Sequence, residues 1–372
     1  MSDASSDATI DQGTGNDAGA DHAVIDSGAC TPGEKRCVGR AVRTCGLDGQ
    51  WEGATDCDGG ECCMGACVDV QSDQDHCGRC AHSCCGGVCA AGVCAPAVVS
   101  PTEDGPVGIA VVGSNVYWTT WTAIRRAPVA GGAPSTVATL PFHPTMLAAD
   151  ATNAYWTSLI GGVVGSVPLV GGAPVTIASG QASPWGIVVD ANSVYWPNEL
   201  ANTIARAPLG GGGITTIAGS QDHPVAVAVD ANNVYWANMV KAKGAVMKAP
   251  IGGGASVALA TSLDMPVALA VDATNVYWTN QTPSGQVMKV PIGGGAPVVL
   301  ASGQVVPWGI AVDAANVYWV NEGDGTVRAV PLGGGAPVEL AKEATSPHIL
   351  AIDASCLFWT NGDGSVRKVA KP

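Results

Sequence analysis

Six aspartates recur at nearly constant spacing: Asp150, Asp190, Asp230, Asp272, Asp313 and Asp353. A ring of carboxylates is a pattern that can hold a metal ion or move protons. Each one, however, stands just before a short Ala, Asn, Ser or Thr stretch that leads into an aromatic segment. That is a turn position, and Asp suits turns because its side chain bonds nearby backbone. The first unit has Gly113 there instead. Turn chemistry therefore accounts for the series. The six histidines (22, 76, 82, 143, 223 and 348) have no HExxH spacing, and no GxSxG, Walker or dinucleotide fingerprint occurs. Asn321-Glu322-Gly323-Asp324-Gly325 and Asn361-Gly362-Asp363-Gly364 carry part of a calcium-loop pattern without its full ligand series. Asp-Gly also closes hairpins. No cofactor is expected, and calcium is the one ion these loops suggest.

The cysteines offer a second chemistry. Thirteen lie between Cys30 and Cys94. One group is Cys30, Cys37, Cys45, Cys57, Cys62, Cys63 and Cys67; the other is Cys77, Cys80, Cys84, Cys85, Cys89 and Cys94. So short a segment, poor in large apolar side chains, needs cross-links in place of a core. Disulfides are the expected chemistry if the chain is exported. Zinc is the rival, because Cys77-Gly78-Arg79-Cys80 has ligand spacing. The vicinal pairs at 62–63 and 84–85 do not fit the paired grammar of common zinc modules. Connectivity stays open. Cys356 stands apart, where other units carry a turn Asn (Asn233, Asn275, Asn316). It is expected to be exposed and to bond a cysteine of the 77–94 group.

The elements that must carry these residues follow from a repeat. An aromatic–Trp pair occurs seven times, with tryptophans at 118, 156, 196, 236, 278, 319 and 359. Their spacings are 38, 40, 40, 42, 41 and 40 residues. Pro106, Pro144, Pro184, Pro224, Pro266, Pro307 and Pro347 repeat with the same spacings. In the unit from 307 to 344, four short segments read as strands A to D. They are separated by an Asp-Ala-Ala-Asn turn, a variable loop and a triple-glycine turn. β-Branched residues, Gly and Pro fill the unit and no helical period appears, which excludes helical solenoids. The reading is an all-β seven-bladed β-propeller of four-stranded antiparallel blades. The last unit ends after strand C. Ala95-Pro96-Ala97-Val98-Val99-Ser100 matches the strand D sequence Ala296-Pro297-Val298-Val299-Leu300-Ala301. The N-terminal strand should therefore complete the last blade. Three domains are expected: a disordered acidic tether over 1–29, a Cys-rich module over 30–94 and the propeller over 95–372.

Stretches such as Asn202-Thr203-Ile204-Ala205-Arg206-Ala207-Pro208-Leu209-Gly210, Val227-Ala228-Val229-Asp230 and Val234-Tyr235-Trp236 resemble the YWTD, or LDL-receptor class B, propeller repeat. The resemblance covers 95–372. It implies a propeller scaffold that is often extracellular and non-enzymatic. Two departures stand out: the fourth motif position is mostly Asn (198, 238, 280, 321 and 361), and seven units replace the family's six. Asp75-His76-Cys77-Gly78-Arg79-Cys80 and its surroundings resemble Cys-rich modules of myxobacterial surface proteins.

Charge narrows the partners. The net charge is −14. Residues 1–94 carry 15 acidic and 5 basic side chains, and the remainder 16 and 12. No basic face for nucleic acid is available, and no apolar run has the length of a transmembrane helix. Residues 1–29 hold six Asp and no Lys or Arg, a solvated composition. Such a tether suits a secreted protein or lipoprotein whose signal lies upstream of this Met1. The alternative is a cytoplasmic protein with reduced thiols. Two function classes remain: a non-enzymatic, surface-attached or extracellular binding scaffold for a glycan or peptide, and a lactonase- or lyase-type enzyme with a metal in the central channel. Inner strands such as Ile109-Ala110-Val111 and Ile187-Val188-Val189 are apolar throughout, which disfavours the enzyme. The A–B and C–D turns are uniform among units, whereas the B–C and D–A loops vary. Ligand residues are expected on the variable face: Trp121, His143, Trp185, Glu199, His223, Trp308 and His348. Trp185 and Trp308 lie outside the regular Trp series.

Overall fold

The computed structural model describes residues 29–342 and 344–372. All but the last residue of the expected tether lies outside the described residues. Among those described, every regular element is a strand. The described residues form no helix long and apolar enough to cross a membrane.

Seven four-stranded antiparallel sheets follow one another along the chain. Sheets 1 to 6 occupy residues 109–139, 147–178, 188–218, 224–263, 266–304 and 307–341. In each, strands A to D are consecutive in sequence and adjacent in space. Sheet 4 is representative: A is Pro224–Val229, B Asn233–Asn238, C Gly244–Pro250 and D Val257–Leu263. Sheet 7 takes A, B and C from Pro347–Ile352, Cys356–Asn361 and Val366–Ala370, and its fourth strand from Ala97–Ser100. That fourth strand pairs Arg367 with Val98 and Lys368 with Ala97. Every C–D pairing shifts register at one equivalent place, Val327/Arg328 in sheet 6 for example. The pairing with Ala97–Ser100 shifts at the matching place, Val366/Arg367.

Alternation within strand B decides what packs where. Tyr235 and Trp236 point to opposite faces of sheet 4. Tyr235 joins a cluster with Val276, Trp278 and Val290 of sheet 5. Trp236 joins one with Tyr195, Ile204 and Ile217 of sheet 3. The same exchange recurs between each neighbouring pair, and a further cluster packs Trp118 of sheet 1 with Phe358 and Val366 of sheet 7. The repeated Trp and Tyr are almost fully buried. Each such ring removes about 150–250 Å² from water.

Cations on strand C tie sheets together. Arg126, Arg206, Lys248, Lys289 and Lys368 each donate to a backbone carbonyl of another sheet's C–D turn. The Lys368 bond runs from sheet 7 to Val129 of sheet 1. Charge-assisted bonds of this kind are stronger than neutral ones.

All fourteen cysteines are in disulfides: Cys30–Cys45, Cys37–Cys62, Cys57–Cys67, Cys63–Cys80, Cys77–Cys89, Cys84–Cys94 and Cys85–Cys356. The zinc reading of Cys77-Gly78-Arg79-Cys80 gives way, since its two cysteines enter different bridges. The vicinal pairs act as junctions. Cys63 links the two cysteine groups, and Cys85 links the Cys-rich segment to sheet 7. Cys356 is 4% exposed, not exposed as its turn position suggested, because the bridge and strand C cover it. Beside it, the His82 ring lies 3.0 Å from the Lys371 carbonyl and 2.6 Å from that of Cys77. The Cys-rich segment thus rests on the A–B turn of sheet 7 by a bridge and a hydrogen bond.

Candidate functional site

The two ends of the sheets differ. At one end lie the A–B turns, where the repeated aspartates sit. Asp230 Oδ1 accepts the backbone N–H groups of Asn232 and Asn233 at 2.7 Å. Its Oδ2 accepts the Tyr235 hydroxyl at 2.6 Å. The arrangement repeats at Asp150, Asp190, Asp272 and Asp313 with their own tyrosines. Asp353 keeps only the turn bonds, because Phe358 has no hydroxyl. Burial pushes these carboxyls up. The bonds from the Tyr hydroxyl and the turn N–H groups outweigh it and hold Asp150, Asp190, Asp230 and Asp272 below the usual carboxylate range. Burial, then the bond to the aspartate, raises the tyrosines. The carboxylates are spent on turns, so they form no catalytic ring. The tyrosine bond was not anticipated from sequence, although the constant five-residue offset from Asp to Tyr was there to be read.

At the other end, the D–A and B–C loops lie together. Glu199 N–H donates to the Ser183 carbonyl, Met239 to His223, Gln281 to Met265 and Glu322 to Val306. The residue before the repeated proline takes positive φ in six units: Gly105, Ser183, His223, Met265, Val306 and Ser346. For a β-branched residue such as Val306 (φ 53°) this is a strained conformation. Below the loops, Gln181, Gln221 and Gln304 accept the indole N–H of Trp196, Trp236 and Trp319 at 2.8–3.0 Å. The same oxygens accept the amide of Asn198, Asn238 and Asn321. The asparagines at the fourth motif position are therefore buried packing groups. Asp324 and Asp363 of the partial calcium loops accept bonds from Thr326 and Ser365 within their own turns.

The seven candidate residues fall into separate groups. Trp185 and Trp308 line one cavity of about 140 Å³. Its walls come from the A strands, with Val225 and Val267 between the two indoles, and every lining residue is apolar or glycine. Two side-chain bonds fix the Trp backbones: Thr157 donates to the Trp185 carbonyl and Thr279 to that of Trp308. The glycine after each Trp allows close approach of the adjacent inner strand. A Cβ on Gly186 would stand 2.9 Å from the Val225 carbonyl, and one on Gly309 2.8 Å from that of His348. His348 meets Trp308 edge-on at 5.4 Å. Burial depresses its imidazole below the ordinary value, against the opposing pull of Glu322. Trp121, half exposed, stacks on His143 at 4.2 Å. Burial depresses His143 too, with Asp104 opposing. Glu199 accepts the Ser183 hydroxyl at 2.9 Å. His223 is exposed beside Asp222. None of the three loop histidines, His143, His223 and His348, belongs to a metal-ligand constellation with other described residues. Among the described residues, the one trio of donor atoms close enough for a metal is Cys77, Cys84 and Cys89, all of them bridged.

No protein-family model and no curated protein sequence matches the chain. Solved structures do. A structure of a nidogen/laminin complex is similar at 21% identity over 59% of this chain and 90% of that one, with a TM-score of 0.51. Virginiamycin B lyase from Staphylococcus aureus is similar at 14% identity over 74% and 98%, with a TM-score of 0.63. The WD40 β-propeller domain of Doa1 is similar at 14% over 74% and 96%, with a TM-score of 0.60. The chain has a β-propeller fold. These neighbours include a lyase and members of protein complexes, so the likeness carries the fold alone.

Proposed function

We propose that residues 95–372 form a seven-bladed propeller, closed by the strand Ala97–Ser100, that binds a peptide or glycan at its variable face. In this reading residues 30–94 are a disulfide-rich module and residues 1–29 a tether. The protein works outside the cell, as a secreted protein or a surface lipoprotein. Seven disulfides favour an oxidising compartment. The resemblance to YWTD repeats favours a scaffold.

The observation that carries the function is the channel mouth. Two indoles outside the repeated Trp series flank an apolar cavity under irregular loops, and Trp308 also rests against the core between sheets 6 and 7. Catalysis needs a titratable or metal-bound group aimed at substrate, and none lines this cavity. The lyase-type alternative draws on the likeness to virginiamycin B lyase. It predicts a stoichiometric divalent ion in the purified protein, which metal analysis reads directly.

The test compares tryptophans. Trp236→Ala should destabilise by roughly 3–5 kcal/mol, as large-to-small changes in a core do. Trp185→Ala and Trp308→Ala should change the melting temperature little and abolish binding to hits from glycan and peptide arrays. Equal destabilisation by all three substitutions would assign Trp185 and Trp308 to packing and remove the proposed site.

A further inference from the structure

The cavity between Trp185 and Trp308 has four walls facing the loops: Trp185, Val225, Val267 and Trp308, from sheets 3, 4, 5 and 6. Each wall has a carboxylate close to it in the chain or across a loop contact. Glu199 is bonded to Ser183, two residues before Trp185. Asp222 and Asp264 each stand three residues before their valine. The Glu322 N–H donates to the Val306 carbonyl, two residues before Trp308, and its charge acts on His348 against that indole. No Arg or Lys pairs with any of the four among the described residues. The ion pairs formed there are Glu103–Arg125, Arg328–Glu339 and Lys371–Asp313, besides those of His76 and His223. Over the whole loop face, eight described carboxylates face three lysines, 241, 243 and 342, with Arg125 against Glu103 and Arg367 near Asp363. His143 and His348 add little positive charge near neutral pH, since burial holds both below their ordinary value. At the turn end, by contrast, five aspartates are capped by tyrosine hydroxyls.

We infer that the mouth takes a basic peptide that lowers one apolar side chain between Trp185 and Trp308, with flanking Lys or Arg against Glu199, Asp222, Asp264 and Glu322. The inference rests on the reading that the mouth is the binding site, and it names the ligand's chemistry. The cavity excludes a charged group, because nothing in it could pair with one. Its volume suits a single aliphatic or aromatic group; an apolar cavity of about 150 Å³ admits benzene. The rim rejects an acidic chain by like-charge repulsion and raises the arrival rate of a basic one. A neutral sugar would satisfy neither the apolar floor nor the acidic rim.

Fluorescence anisotropy on the full disulfide-bonded chain tests this with three labelled peptides. One has a central phenylalanine flanked by lysines. The second has the same centre flanked by glutamates, and the third has lysines around a central serine. The first should bind at least roughly tenfold more tightly than the others, and should weaken as salt rises from 0.05 to 0.5 M, about a threefold fall in Debye length. Asp222→Asn, Asp264→Asn and Glu322→Gln together should weaken it roughly tenfold with an unchanged melting temperature, since all three are surface changes. Trp308→Ala should abolish it. Glutamate-flanked peptide binding as tightly, or Trp308-dependent binding of a neutral glycan alone, overturns the charge inference and leaves the mouth standing. Binding that survives both Trp185→Ala and Trp308→Ala overturns the mouth as well. No binding of the lysine-flanked peptide at about 1 mM, a contact worth less than about 4 kcal/mol, overturns the inference.

Discussion

The two ends of the sheets use the same residue type in opposite ways. At the A–B turns, an aspartate accepts two backbone N–H groups and, in five units, a tyrosine hydroxyl. Its charge is consumed by its own sheet, and the pattern repeats with little change. At the loop end, carboxylates such as Asp222 and Glu322 have no cationic Lys or Arg partner, the backbone takes positive φ, and two tryptophans surround a cavity. One end is built for stability and the other retains unmet bonding capacity. A rigid repeat with one irregular face is how a scaffold presents a site.

The largest effect should come from the strand that joins the ends of the fold. Deleting residues 95–101 removes the fourth strand of sheet 7 and exposes the edge of Val366–Ala370. It also shortens the main-chain link between the Cys-rich segment and the sheets. An open edge templates pairing with other chains. The deleted protein should aggregate or lose cooperative unfolding in size-exclusion and calorimetric runs. A monomer with an unchanged melting temperature would mean that this strand closes nothing.

The next effect separates the two ends by pH. The carboxyl of Asp313 is pushed up by burial, but Lys371, two turn N–H groups and Tyr318 bring it down to about 2 from 3.8. A depressed folded value means that stability is present above the unfolded value and lost as pH falls through the folded one. The window is therefore pH 4 down to pH 2. A shift of this size corresponds to roughly 2 kcal/mol. Asp313→Asn should destabilise by about that amount at pH 7 and by much less at pH 2, in urea titrations at both pH values. Asp222→Asn at the loop end should alter neither. Equal losses at both pH values for Asp313→Asn would point to a lost turn geometry in place of a lost charge.

How much of this was legible depended on whether a feature repeats in side chains. The Tyr-Trp pairs, the prolines and the turn aspartates recur in every unit or nearly so, and they gave the all-β repeat and its strands. Trp185 and Trp308 were visible because they break the series. The cation ties were not, because their acceptors are backbone carbonyls, which every residue has. The glutamine clamps were not, because Gln181, Gln221 and Gln304 occur in three units and shift within loops of varying length. The Trp121–His143 stack joins two separate loops, and no spacing rule connects them. Disulfide connectivity is set by three-dimensional proximity, so sequence named the cysteines without pairing them.

The smallest effect concerns the strain at the loop end. Val306 holds φ 53° just before Pro307, in the position that Gly105 fills at the same point of sheet 1. The left-handed region costs an L-residue about 1–2 kcal/mol, and more for a β-branched one, whose Cβ carries two heavy atoms. Both hydrogen bonds made here are backbone bonds: the Val306 N–H to the Thr282 carbonyl, and the Glu322 N–H to the Val306 carbonyl. Glycine would keep both and remove the strain. Against this, glycine adds roughly 0.5–1 kcal/mol of backbone freedom to the unfolded chain and gives up the half-buried valine side chain. The balance should be a small stabilisation, within about 1 kcal/mol, for Val306→Gly. Val299→Gly, on strand D of the same neighbourhood and at ordinary strand φ, should instead destabilise by about 1 kcal/mol or more. Urea midpoints for the pair decide it. If Val306→Gly destabilises as much as Val299→Gly, the positive φ carries no strain, and the contrast between a relaxed turn end and a strained loop end fails at that position. If it stabilises while weakening the lysine-flanked peptide, the strain is what holds Trp308 in place at the mouth.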